Sequence, residues 1–192
     1  MRMWRLLCWA GFIAFSSTAA LAQSGCDKGT YSVVQSDDGT ALSVLFDAFT
    51  AQADGGVGAD TTQIRCELQI PLHLQEGFSL GVYRVDYRGF AHLPAKQSTS
   101  ELTVNYGLGS DQKGRRFQRK LKGQYDADFL FTENLGAGLM KRAGCGNAAI
   151  LNVSIILALN TQPSVEASVG LDSSDGAPKG GLIYHLDTKK CR

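Results

Sequence analysis

From Ile64 to Leu74 the chain alternates without a break: Ile64, Cys66, Leu68, Ile70, Leu72 and Leu74 are apolar, and Arg65, Glu67, Gln69, Pro71 and His73 stand between them. A period of two sends successive side chains to opposite faces of an extended strand, so this stretch reads as a strand with one wet face and with Cys66 turned into the core. Pro71 has no N–H for a ladder, which places it at an edge or a bulge. The pattern recurs from Ala149 to Asn160, where Leu151, Val153, Ile155, Leu157 and Leu159 share one face and the other face is partly apolar. That second stretch reads as a central strand.

Further strands are predicted at Tyr31 to Gln35, Ala41 to Asp47, Phe78 to Leu93, Ser98 to Tyr106, Arg115 to Lys122, Asp128 to Thr132, Ser164 to Leu171 and Gly181 to Asp187. The first two flank "SDDG", in which Asp38-Gly39 predicts a hairpin on a primed turn, because both residues tolerate positive φ. No window carries a sustained helical stripe, and Leu135 to Arg142 has room for one short helical turn only. Short strands joined by Gly-rich turns make the fold class all-β. The expected form is an antiparallel β-sandwich of about nine strands, jelly-roll-like. A membrane barrel is the competing all-β form, but the cysteine set and the basic segment described below sit badly against lipid.

The first 22 residues are read as an address rather than as part of the fold. Arg2 and Arg5 supply a basic start, Leu6 to Phe15 an apolar run, and Ala20-Leu21-Ala22 the small residues of a signal-peptidase site. The apolar run is about half the length a helix needs to cross a bilayer. Lipid attachment at Cys26 would want a branched apolar residue where Gln23 stands. Residues 23–192 are then expected to form one β-sandwich domain, with no linker or internal repeat dividing it. The expected location is secreted or periplasmic, with no transmembrane segment once the signal is removed.

Cleavage leaves 17 basic against 18 acidic residues. A nearly neutral domain has no overall pull toward nucleic acid, and no nucleic-acid partner is expected. Cleavage also removes Cys8 and leaves Cys26, Cys66, Cys145 and Cys191, an even set in an oxidising compartment, which predicts two disulfides. Cys26 precedes the first predicted strand and Cys191 follows the last. Pairing of the terminal strands would join those two and leave Cys66 with Cys145, one of three possible connectivities. A four-thiolate zinc site would want closely spaced cysteine pairs, which are absent.

The blocks "SDDGTALSVLFDAF", "RCELQIPL" with "EGFSLGVYRVDYRGFAHL", "GCGNAAILNVSIILAL" and "LDSSDGAPKGGLIYHLDTKKC" follow one another in an order that resembles a family of secreted proteins, the domain of unknown function DUF4360. The likeness covers nearly the whole chain after the signal. It implies secretion and a β-rich domain; it implies no activity, ligand or functional residue.

No catalytic motif, metal or cofactor is read from the residues. His73, His92 and His185 lack the spacing of metal ligands and read as exposed strand residues. There is no Gly-x-Ser-x-Gly elbow, and a free cysteine nucleophile would leave an odd cysteine behind. The acids of "DSSDG" at 172–176 and of "SDDG" have a sufficient reason as turns, without calcium. "GGVG" and "GAG" lack the following Lys-Ser or Lys-Thr of a phosphate loop.

One segment stands out. "KGRRFQRKLKG" sets Lys113, Arg115, Arg116, Arg119, Lys120 and Lys122 around Phe117 and Leu121. This is a concentrated basic patch suited to an anionic glycan or envelope component, unless Asp111, Asp126 and Asp128 answer its charges. "RVDYRGF" adds Arg84 and Arg88 as secondary candidates. There the apolar positions pass from Phe78, Leu80 and Val82 to Tyr83, Val85 and Tyr87, a shift of phase by one residue that predicts a β-bulge near Gly81, with Arg84, Asp86 and Arg88 facing solvent as a ladder and Tyr83 and Tyr87 packed inward. The functional expectation is an exported, non-catalytic binding module acting through the basic hairpin. The alternatives are a carbohydrate-active hydrolase on a sandwich scaffold, marked by two close acids in a cleft, and an inhibitor or structural partner of another exported protein.

Overall fold

The protein is described by a computed structural model covering residues 23–58, 60–109, 114–136, 142–145, 149–171 and 180–191. The expected signal, Lys113, Asp111 and the "DSSDG" turn lie outside these residues. So does most of the segment considered for a helical turn, whose last residue, Arg142, begins a strand.

Thirteen strands occur among the described residues, in chain order β1 (Gln23–Ser24), β2 (Tyr31–Gln35), β3 (Ala41–Phe46), β4 (Thr50–Asp54), β5 (Asp60–Pro71), β6 (Phe78–Leu93), β7 (Thr99–Leu108), β8 (Arg115–Lys122), β9 (Tyr125–Asn134), β10 (Arg142–Gly144), β11 (Ile150–Thr161), β12 (Glu166–Gly170) and β13 (Gly181–Lys190). They form two sheets. The smaller runs β1-β5-β11-β7-β8, and the larger runs β2-β3-β13-β6-β12-β4 with β9 and β10 also on β6. β13 and β12 share one edge of β6, and β9 and β10 share the other, because β9 and β13 both pair with Arg84 to Arg88. Apart from the parallel contact of β1 with β5, the pairings are antiparallel. The all-β, two-sheet architecture is the one expected. The sequence reading lacked β1, β4 and β10, of two, five and three residues. β1 and β10 are too short for a period of two to show, and β4 alternates only Ala51 and Ala53 with polar residues, a weak apolar signal.

The two sheets enclose one apolar cluster. β11 is central in the smaller sheet, and Leu151, Ile155, Leu157 and Leu159 are all fully buried, in one cluster with Val85, Leu93, Val44 and Leu182 of the larger sheet. Pro71 is the last residue of β5. Since the Leu72 N–H reaches Ala149 beside β11, the nitrogen of Pro71 points the other way, to the edge that β1 leaves open.

Both disulfides differ from the expected connectivity. Cys26 pairs with Cys66 and Cys145 with Cys191, at Cα separations of 5.2 and 5.7 Å. The expectation assumed that the terminal strands pair, whereas β1 and β13 lie in different sheets. β1 sets Gln23 and Ser24 against Ile64 and Arg65, so the chain delivers Cys26 beside Cys66. Cys145 and Cys191 arrive from opposite sides at the start of β6, where their N–H groups reach Phe78 and Gly77.

The turn between β2 and β3 also differs. Gly39 alone has positive φ (69°), so the turn is not a primed one. Asp38 acts through its side chain: Oδ1 accepts from Ser36 Oγ, Thr40 N and Thr40 Oγ1 at 2.7, 3.0 and 2.8 Å. Those donors hold its carboxyl at about 2.

β6 does carry a bulge, two residues later than expected. Arg84 faces His185 and Val82 faces Leu186, which leaves Tyr83 as the extra residue. The slip keeps Leu80 and Val82 before it, and Val85 and Tyr87 after it, in the core. Tyr83, expected inside, is instead turned out and 42% exposed.

Candidate functional site

β8 is the outer strand of the smaller sheet and carries five of the six predicted basic residues; Lys113 lies outside the described residues. A strand of alternating faces cannot present them together. Arg115, Phe117, Arg119 and Leu121 pair with Tyr106, Val104, Leu102 and Ser100, on the side turned toward the larger sheet, and Phe117 is buried. Arg116, Lys120 and Lys122 point to the opposite, solvent side and are exposed. Arg119 remains exposed at the rim, its guanidinium 5.0 Å from the centre of the Phe117 ring.

Among the described residues, Arg116, Arg119, Lys120 and Lys122 make no ion pair. Of the acids expected to answer them, Asp126 instead meets His92 Nδ1 at 3.0 Å, and Asp111 is outside the described residues. Across the solvent face, β8 is continued by Asn105, Glu101 and Thr99 of β7 and by Ser154, Ala158 and Asn160 of β11. Glu101 accepts from Gln118 Nε2 at 2.6 Å. The result is a row of cations without ion pairs among the described residues, beside amides and hydroxyls and one carboxylate, Glu101, opposite Lys120.

Arg115 has a different role. Glu133 of β9 pairs with the fully buried Val85, so its carboxylate enters the space between the sheets. There Oε2 accepts from Tyr87 and Tyr106, both at 2.9 Å, and Oε1 from Arg115 Nη2 at 3.2 Å. Burial pushes both hydroxyls well above the usual tyrosine range, joined at Tyr87 by Tyr184, Tyr106 and the Glu133 charge and at Tyr106 by the Glu133 charge. Burial opposes the charge on Arg115, but the hydrogen bonds to Glu133 and Tyr106 outweigh it and raise its pKa. Tyr87 stacks on Phe117 at 3.9 Å, and Tyr184 meets Tyr106 edge-on at 5.6 Å. This cluster ties β8 to β9 across the sandwich. The chain changes sheets at the opposite end of these two strands, through Gly123-Gln124, where a Cβ at Gly123 would clash with the carbonyl of Ala95.

The "RVDYRGF" charges lie on the outer face of the larger sheet. The solvent-facing ladder expected there is not formed, because Asp86 is 1% exposed. Its Oδ1 accepts from Arg84 Nε (3.0 Å) and Thr132 Oγ1 (2.7 Å), and its Oδ2 from Arg84 Nη2 (2.7 Å) and His185 Nε2 (2.9 Å). Burial would raise the pKa of Asp86, yet the donors from Arg84, Thr132 and His185 outweigh it and hold the carboxyl at about 2. Arg88 takes no part; its Nε is buried without a hydrogen-bond partner among the described residues. Of the histidines, His73 is exposed in the connection after β5, His92 lies on β6 beside Asp126, and His185 is three-quarters covered beside Asp86. The sequence reading missed Glu133, Thr132 and His185 as partners, since all three come from other strands.

Two adjoining clefts open where β2 meets the end of β5. One, of about 430 Å³, includes Asp37, Asp38, His73 and Gln75 in its lining; the other, of about 310 Å³, includes Tyr31, Val33, Ile70 and Pro71. The Gln35 amide bridges them, accepting from His73 N and donating to His73 O, both at 3.1 Å. No group of three or more potential metal ligands occurs among the described residues.

A family model described as "Domain of unknown function (DUF4360)" matches residues 17–191. An "Uncharacterized secreted protein" of Arthroderma benhamiae is 28% identical over 169 residues, spanning 88% of this chain and 68% of that one. Among solved structures, that of TmCBM61 in complex with beta-1,4-galactotriose aligns over 85% of this chain and 84% of its own, at 13% identity and a TM-score of 0.34.

Proposed function

This chain belongs to the DUF4360 family, whose description names no activity, and from its own geometry we propose that it is an exported, non-catalytic module that holds an anionic polysaccharide on the outer face of β8. Residues 23–192 act as one domain after removal of a signal. An extracellular location is favoured by the two disulfides and by the secreted description of the fungal relative.

The observation that carries the reading is the row of Arg116, Lys120 and Lys122, exposed and without ion pairs among the described residues, on an otherwise near-neutral domain. Alternate residues of a strand stand about 7 Å apart, and Gln118 takes the place between Arg116 and Lys120, so the row sets charges about 14 and 7 Å apart along a straight line, spacings that a linear carboxylate or sulfate polymer can meet. Arg119 adds a fourth cation at the rim. The neighbouring Asn105, Ser154, Thr99 and Asn160 supply donors and acceptors for hydroxyls. Lysines on an outer strand also keep the sheet edge from pairing with another chain. Salt-sensitive retention on an immobilised polyuronate separates the two roles. Loss of retention in the Arg116→Ser, Lys120→Ser, Lys122→Ser triple variant, with its stability unchanged, supports binding, and unchanged retention overturns it.

A further inference from the structure

Tyr83 is the one tyrosine or phenylalanine among the described residues that is exposed, at 42%. Both tryptophans, Trp4 and Trp9, fall in the first 22 residues, so any aromatic surface on the processed domain is made by tyrosine or phenylalanine. The register slip in β6 is what sends this ring outward: Tyr83 has no partner on β13, while its carbonyl accepts from Leu135 N at 2.8 Å on the other side. Bulges commonly re-aim a side chain at a site.

What surrounds the ring is fixed and polar. Arg84 follows it, with Nε and Nη2 anchored on Asp86 and its side chain 40% exposed. The anchoring leaves Nη1 to face solvent in a set direction. His185 lies on the other flank, its ring 5.9 Å from that of Tyr83 and inclined by 52°. Its Nε2 meets the carboxylate of Asp86, so Nε2 carries the proton and the Nδ1 side of the ring is turned away from that pair. Thr132 completes the support of Asp86 from below. One step along the sheet, Arg142 Nη1 is 2.8 Å from Asp187 Oδ2, so the neighbouring charges are matched and do not favour an anion.

A flat apolar ring beside an oriented guanidinium and an oriented imidazole matches a pyranose, which has a C–H face and a rim of hydroxyls that both donate and accept. We propose that Tyr83, Arg84 and His185 form a saccharide subsite on the outer face of the larger sheet, with the sugar ring laid on Tyr83 and adjacent hydroxyls taken by Arg84 and His185. Asp86 and Thr132 position the two polar groups without touching the sugar. The subsite stands apart from the β8 row and holds whether or not that row binds a polymer.

The test follows the Tyr83 and His185 ring signals by NMR during titration with cellotetraose, xylotetraose, mannotetraose and trigalacturonate. At least one sugar is expected to shift both rings. Tyr83→Ala should weaken that binding about tenfold or more, the loss of one stacking contact worth roughly 1.4 kcal/mol. Tyr83→Phe should retain most of it. The variant in which Arg116, Lys120 and Lys122 are serine should bind the same sugar unchanged, which keeps this result separate from the β8 proposal. The inference is overturned if none of the four sugars moves the two rings, or if folded Tyr83→Ala binds as the wild type does.

Discussion

His185 of β13 donates through Nε2 to Oδ2 of Asp86 on β6, at 2.9 Å, on the outer face of the larger sheet. The pair stands at the bulge, so a carboxylate that is 1% exposed locks the two strands where their register changes. Burying a carboxylate is costly unless donors replace the lost water, and here four hydrogen bonds do so.

Stability should therefore fall in acid. The Asp86 carboxyl is lowered from 3.8 to about 2 by these donors, against the opposing effect of burial. A group with a depressed folded pKa contributes fully above its unfolded pKa and loses that contribution as pH falls through the folded one. A contribution of about 2 kcal/mol, present at neutral pH, is expected to disappear between pH 4 and pH 2. Urea midpoints measured across that range check it. Asp86→Asn should be less stable at neutral pH and lose less in acid than the wild type.

The disulfides give a chemical test. Digestion without reduction should release peptides linking Cys26 to Cys66 and Cys145 to Cys191, and none linking Cys26 to Cys191. Each bridge closes a loop of 40 or 46 residues along the chain. Replacing Cys145 and Cys191 together by serine should cost about 4 kcal/mol in the chain-entropy account.

Glu133 should matter more to folding than any exposed charge on β8. Glu133→Ala leaves Tyr87 and Tyr106 without their acceptor inside the sandwich and removes the partner of Arg115. Since Arg115 can still reach water, the expected cost is about 2 to 4 kcal/mol by urea unfolding. Lys120→Ser, by contrast, should stay within about 0.5 kcal/mol of the wild type.

Much of this fold was legible in the sequence, because long strands repeat the period of two many times. β6 and β8 were predicted with the boundaries they have, and the bulge in β6 was signalled by its slipped apolar phase. What the sequence hid depends on which strands become neighbours. The disulfide pairing follows from β1 joining β5, a contact of two residues that carries no pattern of its own. Asp86 read as a surface charge because its own strand turns it outward, and nothing in "RVDYRGF" reveals that Thr132 and His185 close over it from either side. One feature could have been found earlier. The alternation of "RRFQRKLK" already sets Arg115 and Phe117 on the side opposite Arg116 and Lys120, which divides the basic segment into an inner anchor and an outer row.

That division is the centre of the functional account, and retention on an immobilised polyuronate measures it most directly. Wild-type protein should be held at low salt and released as salt rises, because screening shortens the reach of exposed charges. The triple variant Arg116→Ser, Lys120→Ser, Lys122→Ser, with an unchanged urea midpoint, should pass through at every salt concentration. Retention of that folded variant equal to the wild type's would contradict the account.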